Sequence, residues 1–77
     1  MATSIHSSRY REFCRRLRQA REAAGLSQVE VGRRMRRDQT FVSKFETGER
    51  RLDVLEVDEL AAIYGKPLTW FVPPRNR

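Results

Sequence analysis

The chain of 77 residues has a single cysteine, Cys14, so it cannot form an internal disulfide. Chains this short bury a modest fraction of their surface, and without a disulfide they depend on a well-packed core or on a partner. One cysteine fits a reducing compartment, and we expect a cytoplasmic protein. The opening residues MATSIHSS lack the apolar run of a signal peptide, and no stretch approaches the ~20 apolar residues of a membrane-spanning helix, so we expect a soluble protein without a membrane partner.

Groups that bind metals or carry out catalysis are also scarce. The only histidine, His6, lies in the expected N-terminal arm, and Cys14 is expected on a helix face rather than as a redox sensor. The sequence shows no paired metal ligands, no phosphate-binding loop and no credible active site, and it indicates no pocket for a small molecule. We therefore predict no metal, no cofactor and no enzymatic activity.

Positive charge is abundant and unevenly placed. Residues 1–37 carry ten arginines and three glutamates, a net charge of +7, whereas residues 38–77 carry six basic and seven acidic side chains, a net charge of −1. Arginine supplies fourteen of the sixteen basic residues, and its planar guanidinium suits phosphate. A basic half on a small domain favours a polyanionic partner, and the alternative is an ordinary solvated surface.

Apolar residues at helical spacing, together with residues that cap helix ends, predict a series of short helices. Ser27 with Glu30, and Asp53 with Glu56, match the pattern of a capping box. The expected N-caps of the first four helices are Ser7 or Ser8, Ser27, Asp38 and Asp53, and the glycines expected to end three of them are Gly25, Gly48 and Gly65.

The end of the chain predicts a fifth helix and then a loose tail. Pro67 suits the start of the short helix PLTWF, and Pro73 and Pro74 prevent its extension. No segment indicates a strand, so we expect an all-α fold, a compact bundle of five short helices. The expected division of the chain is a flexible arm at 1–7, a helical domain at 8–72 and a tail at 73–77.

The third helix, expected at residues 39–47, has two unlike sides. At roughly 100° per residue from Gln39, the polar residues Ser43, Thr40 and Lys44 fall near 40°, 100° and 140°. The apolar residues of the same helix are Phe41, Phe45 and Val42, which fall near 200°, 240° and 300°. The apolar side is expected to pack on the domain and the polar side to face outward.

The polar side carries groups that can hydrogen-bond to the edges of DNA bases. Glutamine matches adenine N6 and N7, lysine matches guanine O6 and N7, and the threonine methyl can contact thymine. A polar face on so short a helix indicates little by itself. The context favours base contacts, because a short helix precedes this one across a short turn, as in a helix-turn-helix whose second helix enters the major groove. The predicted base-contacting residues are Gln39, Thr40, Ser43 and Lys44.

Phosphates are expected to bind around this helix. The first turn of the second helix has unpaired N–H groups and a partial positive charge that favour an anion. The arginines before and after the third helix are further candidates, although many exposed arginines contact nothing. The predicted phosphate-contacting residues are Ser27, Gln28, Arg37, Thr47, Arg50 and Arg51.

The segment LRQAREAAGLSQVEVGRRMRRDQTFVSKFETGERRLDVLEVDELAAIYG resembles the Xre/Cro-type, lambda-repressor-like helix-turn-helix domain. The resemblance covers residues 13–71, and its most specific parts are Arg21 with GLSQ, and VSKFETGERRLD. It implies five helices, binding of double-stranded DNA through the second and third, and a homodimer on a palindromic operator. The implied function is that of a sequence-specific transcription regulator, such as a repressor, in the cytoplasm of a bacterium or of phage origin.

By position, the resemblance also implies roles for individual residues. Gln28 would contact a phosphate and help to orient Gln39. Arg21 and Glu46 would form an ion pair that holds the first helix against the end of the third, and the alternative is two surface charges that contribute little.

The turn between the second and third helices departs from the family. Many members have glycine where this chain has Arg36, and a positive φ is uncommon for a residue other than glycine. We therefore expect a reshaped or mildly strained turn. Gly32 matches a small residue of the family that allows the helices to approach closely.

Two further surfaces are expected away from DNA. The fourth helix begins with four acidic residues between Asp53 and Glu59. The predicted homodimer interface consists of Ile63, Trp70, Phe71 and Val72. The alternative for Trp70 is that it only covers the core. A protein-binding adaptor or antitoxin-like module, using the acidic fourth helix and the Trp70 surface, is the alternative function.

Overall fold

The computed structural model describes residues 7–75, which form four α-helices and one 3₁₀ turn. The elements are α1 (Ser8–Ala23), α2 (Gln28–Arg34), α3 (Gln39–Thr47), α4 (Val54–Tyr64) and the 3₁₀ turn Leu68–Phe71. The described residues contain no strand, and the predicted all-α fold is confirmed. Most of the predicted arm, including His6, and the last two residues of the predicted tail lie outside the described residues.

The predicted fifth helix is a single 3₁₀ turn. Pro67 occupies its N-cap position and Pro73 follows two residues after Phe71. The prolines lack backbone N–H groups, so the short segment between them closes one tight turn instead of an α-helix. The ring of Phe71 is fully buried and packs 6.3 Å, centre to centre, from the ring of Tyr64 on α4.

Side chains cap the helix starts as the sequence predicts. The N-caps of α1 to α4 are Ser7, Ser27, Asp38 and Asp53. Both predicted capping boxes are formed, at the starts of α2 and α4. The carboxylate of Asp38 accepts a hydrogen bond from the backbone N–H of Phe41 at 3.1 Å, which fixes the start of α3. Left-handed glycines follow α1, α3 and α4, also as predicted.

The core is formed by side chains from all four helices and the 3₁₀ turn. Its largest fully buried side chains are Phe45, Phe71, Leu17, Leu60, Val31 and Val42. Cys14 is buried on the inner face of α1. Burial raises the pKa of its thiol, so the side chain does not readily ionise to the reactive thiolate. This placement agrees with the expectation of a helix-face residue. None of the described helices combines the length and the apolar character needed to cross a membrane.

The turn between α2 and α3 is tight and includes a strained residue. Arg36 has a φ of 58°, the left-handed conformation expected where the family has glycine. Gly32 lies against this turn, because a Cβ added to it would stand 2.8 Å from the carbonyl oxygen of Arg37 and 2.9 Å from that of Asp38. The close approach that Gly32 was expected to allow is therefore present, and it sets the position of α3 relative to α2.

The C-terminal segment is bound to α1 by two arginines. The guanidinium of Arg9 donates from Nε and Nη2 to the carbonyl oxygen of Pro73, at 3.1 and 3.0 Å. Arg16 donates to the carbonyl oxygen of Trp70 at 2.9 Å. Pro73 is buried, so the first residue of the predicted tail belongs to the folded body.

Candidate nucleic-acid interface

The two sides of α3 are divided as its sequence predicts. Phe41, Val42 and Phe45 are buried against the domain. On the outer side Gln39, Thr40 and Lys44 are exposed and Ser43 is half-buried. The four predicted base-contacting residues therefore lie together on one accessible helix face, which we call the outer face of α3.

A continuous chain of hydrogen bonds leads from α1 to the first residue of α3. Arg21 donates from Nε and Nη2 to the two carboxylate oxygens of Glu46, at 2.7 and 3.2 Å. Gln28 donates from Nε2 to Glu46 at 3.0 Å, and Gln39 donates from Nε2 to the side-chain oxygen of Gln28 at 2.7 Å. The ion pair and the contact between Gln28 and Gln39, both implied by the family resemblance, are thus present in the structure.

The Arg21–Glu46 pair is the buried end of this chain. The side chains are 12% and 4% exposed, and Arg21 also donates to the carbonyl oxygen of Leu26 at 2.9 Å. The hydrogen bond with Glu46 raises the pKa of the Arg21 guanidinium, so the pair stays charged. A buried pair of this kind needs each partner, because removing one leaves the other charge without compensation.

The chain of hydrogen bonds fixes which way the side-chain amide of Gln39 points. A carboxylate only accepts, so Gln28 must direct its NH₂ group toward Glu46 and its oxygen toward Gln39. Gln39 then uses one N–H inside the protein and keeps its carbonyl oxygen and its second N–H. This acceptor and donor are the pair that matches N6 and N7 of adenine in the major groove.

Two of the predicted phosphate-contacting residues, Ser27 and Thr47, form side-chain hydrogen bonds at the ends of their own helices. The hydroxyl of Ser27 accepts from the backbone N–H of Glu30, and the Glu30 carboxylate accepts from the backbone N–H of Ser27. Those hydrogen bonds hold the pKa of Glu30 below its ordinary value, so a negative charge stands at the start of α2. At the end of α3, the hydroxyl of Thr47 donates to the carbonyl oxygen of Lys44 at 3.1 Å.

Arg37 and Arg50 meet over one aromatic ring. Their guanidinium carbons lie 4.0 and 4.7 Å from the centre of the Phe41 ring. Arg50 donates from Nη1 and Nη2 to the two carboxylate oxygens of Glu56, at 3.2 Å each. Nη1 of Arg37 is 3.8 Å from the same carboxylate. We call Arg37, Phe41, Arg50 and Glu56 the arginine cluster.

Sequence reasoning predicted the two arginines of this cluster but missed Glu56 as their partner. Glu56 was assigned to the capping box of α4 and to the acidic surface expected away from DNA. It does have the capping role, because it accepts from the backbone N–H of Asp53 at 2.9 Å. An aromatic residue between two arginines, four and nine positions away in sequence, was the available signal. It is weak, since only the fold brings these positions together.

Arg51 takes a separate place. Its guanidinium carbon lies 4.5 Å from the centre of the Tyr10 ring on α1, rather than over Phe41. The predicted phosphate-contacting residues are therefore spread over four places: the start of α2, the arginine cluster, the end of α3, and the Tyr10 ring on α1.

Comparison with known proteins identifies the domain. Residues 12–69 match the model of a family described as a helix-turn-helix domain. The chain belongs to this family. Its structure is also similar to that of the S. venezulae BldD DNA-binding domain, with a TM-score of 0.76 and 30% sequence identity over 87% of this chain and 100% of that chain. No curated protein matches the sequence. The family predicted from the sequence is confirmed.

The structure corrects one residue of the predicted dimer interface of this helix-turn-helix domain. Phe71 is 0% exposed and belongs to the core, so it is withdrawn from the predicted dimer interface. Ile63 and Trp70 are half-buried against the core, and Trp70 packs edge-on against Phe71 at 5.1 Å between ring centres. Val72 is 51% exposed. The interface prediction therefore rests on three residues, of which Val72 offers the most surface.

Proposed function

We propose that this protein is a sequence-specific regulator of transcription that binds double-stranded DNA with α3 in the major groove. The observation that carries the proposal is the outer face of α3, where Gln39, Thr40 and Lys44 are exposed while the opposite face is buried. Membership of the helix-turn-helix family and similarity to the BldD DNA-binding domain support it. An α-helix fits the major groove, which is about 12 Å wide.

Each exposed side chain of α3 has a base edge that it suits. Gln39, held by Gln28, offers an acceptor and a donor to adenine. Lys44 can donate to O6 and N7 of guanine, and the methyl group of Thr40 can contact thymine. Ser43, which is half-buried, reaches less far and serves a smaller part in base contact.

Phosphate contacts supply the sequence-independent part of binding. The formal net charge of +6 attracts the duplex, Arg37 and Arg50 lie over the Phe41 ring of α3, and Arg51 lies over the Tyr10 ring of α1. Affinity should fall steeply with salt, because each phosphate contact releases condensed counterions from DNA.

A homodimer on a palindromic operator completes the proposal. Ile63, Trp70 and Val72 form the surface through which two copies associate, and the two α3 helices then enter successive major grooves about 34 Å apart. Bound over a promoter, such a dimer acts as a repressor by occupying the site.

A protein-binding module is the second candidate, favoured by the start of α4. Leu55 is 76% exposed and Val54 is 65% exposed. The acidic residues Asp58 and Glu59 are exposed beside them. Apolar side chains bordered by acids suit a basic protein partner better than they suit DNA.

Selection of bound duplexes from a random-sequence pool tests the DNA proposal. The wild type should enrich a defined motif, and Gln39→Ala and Lys44→Ala should each relax one position of it, at a cost of about 1–3 kcal/mol in discrimination. Arg51→Ala should weaken all sequences alike, and Lys66→Ala, a lysine held over the Trp70 ring away from α3, should leave the motif unchanged.

The outcome that would contradict a base-contacting helix is an equal, sequence-independent loss for Gln39→Ala, Lys44→Ala and Arg51→Ala. If the wild type enriches no motif, while Leu55→Asp abolishes its effect in cells, the protein-binding module is favoured instead.

A further inference from the structure

The arginine cluster lies on one flank of the outer face of α3. On the helical projection Phe41 follows Lys44 by roughly 60°, so the ring and its two guanidiniums border the polar face on the Lys44 side. Gln28 borders the same face on the Gln39 side, through the hydrogen bond of 2.7 Å between them. A helix in the major groove has one sugar–phosphate strand on either side, and the cluster stands where one strand would pass.

The guanidinium of Arg50 is held on three sides. Its Cζ lies over the Phe41 ring, 4.7 Å from the ring centre, and its Nη1 and Nη2 atoms both donate to the Glu56 carboxylate. Nη1 also donates to the carbonyl oxygen of Arg51, at 2.6 Å. These contacts use both N–H groups of Nη1 and the one N–H of Nη2 that points toward Glu56. The N–H of Nε and the second N–H of Nη2 form the remaining edge, which has no hydrogen-bond acceptor within residues 7–75, and the side chain is 36% exposed.

The Nε–Nη2 edge is a fork that fits two oxygens of a phosphate. A long arginine side chain in solution samples many rotamers, and binding a phosphate with it costs the entropy of fixing them. Glu56, the Phe41 ring and the Arg51 carbonyl have already fixed this one. Arg37 stacks on the same ring with 43% of its side chain exposed, so a second guanidinium is available beside the first.

We propose that Glu56 is a positioning residue for a phosphate clamp formed by Arg50 and Arg37, an inference that rests on the proposed DNA-binding function. The carboxylate holds the end of Arg50 so that its Nε–Nη2 edge can grip a phosphate on the strand flanking α3. The same carboxylate lies within 3.8 Å of Arg37 and keeps both cations together over Phe41. An acidic residue thereby strengthens the binding of a polyanion.

This role predicts an effect opposite to the one expected from net charge. Glu56→Gln removes a negative charge, which by itself favours DNA. A carboxamide, however, offers one acceptor oxygen and an NH₂ group that repels the second guanidinium nitrogen. Glutamine still accepts from the N–H of an N-cap residue, so the capping box of α4 is preserved and the helix start is not disturbed.

The experiment measures binding to a labelled duplex of mixed sequence by fluorescence anisotropy at several salt concentrations. Glu56→Gln should bind about tenfold more weakly than the wild type, the loss expected when one charge-assisted hydrogen bond is no longer organised. The slope of log affinity against log salt should fall by about 0.9 for each phosphate that the variant no longer neutralises. The matched control is Glu59→Gln, the same substitution at an exposed position of α4, which should bind as tightly as the wild type or slightly more tightly.

A double-mutant cycle shows whether Glu56 acts through Arg50. Arg50→Lys keeps the charge but has no fork, and it should weaken binding to a similar extent. In the Arg50→Lys background, Glu56→Gln should cause only a small further loss of affinity, through its longer contact of 3.8 Å with Arg37. Urea unfolding of every variant separates folding from binding, because a merely structural role would lower stability and leave the salt slope unchanged.

Two results would overturn the proposal. Glu56→Gln could bind as tightly as Glu59→Gln or more tightly, in which case Glu56 competes with phosphate for the arginines. Alternatively, Glu56→Gln could cause the same loss of affinity in the Arg50→Lys background as in the wild type, in which case Glu56 does not act through Arg50. If the wild type itself binds no duplex, the proposed function fails and this inference with it. A salt-dependent wild type with an unaffected Glu56→Gln refutes the inference alone.

Discussion

Two arginine–glutamate sites flank α3, and they use the same chemistry in different surroundings. Glu46 accepts from Nε and Nη2 of Arg21 inside the protein, where the side chains are 4% and 12% exposed. Glu56 accepts from Nη1 and Nη2 of Arg50 at the surface, where the side chains are 20% and 36% exposed. Burial makes the first pair a fixed part of the fold. Partial exposure leaves the second pair's arginine with an edge that a ligand can still reach.

The free energies differ accordingly. Removing one member of a buried pair leaves an uncompensated charge at low dielectric, which costs about 3–5 kcal/mol. Exposed pairs are worth about 0–1 kcal/mol, because water and salt screen them. A bidentate arginine–glutamate pair is therefore expected to contribute mainly to stability at Glu46 and mainly to ligand binding at Glu56.

The largest effect is expected from Glu46→Ala. The substitution leaves Arg21 without its partner and Gln28 without its acceptor, so the free energy of unfolding should fall by about 3–5 kcal/mol in urea denaturation. Glu22→Ala, which removes an exposed pair with Arg18 on α1, is the control and should change stability by less than about 0.5 kcal/mol. Similar losses for the two variants would erase the difference between buried and exposed pairs.

A second substitution moves the backbone that carries the surface site. In Gly32→Ala the new Cβ would stand 2.8 Å from the carbonyl oxygen of Arg37, so α2 and the turn must separate. Overpacking costs about 1–3 kcal/mol and alanine's better helix propensity returns up to ~1, which predicts a net loss of about 1–2 kcal/mol.

The reference for Gly32→Ala is Arg33→Ala, at the next and exposed position of α2, with an expected change within about 0.5 kcal/mol. Duplex binding by Gly32→Ala should also weaken, since Arg37 moves with its carbonyl. Unchanged stability would mean that the turn yields freely, and the surface site would then be less rigid than we infer.

The strain in the same turn can be measured at Arg36. With φ at 58°, Arg36→Gly should be more stable than Arg36→Ala by about 1 kcal/mol, because glycine has no Cβ to clash in the left-handed conformation. Both variants lose the same charge and side chain, so their difference in thermal or urea unfolding isolates the backbone term. Equal stability would remove the argument for strain.

The smallest effect on folding is expected at the surface site itself. Glu56→Gln should lower the free energy of unfolding by less than about 1 kcal/mol, while its effect on DNA binding is larger. A loss of stability as large as that of Glu46→Ala would show that the two sites are alike, and the contrast between them would not hold.

Much of the fold followed from local sequence features. The N-caps and both capping boxes depend on residues within one helical turn, and the two faces of α3 depend on the helical period within a single element, which is why they could be predicted. The pairing of Arg21 with Glu46, twenty-five positions apart, was available only from the family resemblance.

What could not be predicted depends on tertiary geometry. The arginine cluster joins Arg37, Phe41, Arg50 and Glu56 through the turn before α3 and the loop after it, and neither connection leaves a periodic pattern. Phe71 lies between Trp70 and Val72 in the sequence, and only the packing of the 3₁₀ turn against α4 shows that its ring belongs to the core rather than to the predicted dimer interface.

If α3 contacts DNA bases as we propose, the hydrogen-bond chain that ends at Gln39 also limits how the protein can acquire a new operator. Replacing Gln39 would leave the oxygen of Gln28 without its donor, and Gln28 in turn is committed to Glu46. Retargeting at that position therefore calls for paired changes, whereas Thr40 and Lys44 can vary singly. Evolution or engineering should diversify operator preference first through positions 40 and 44, with 28 and 39 drifting together.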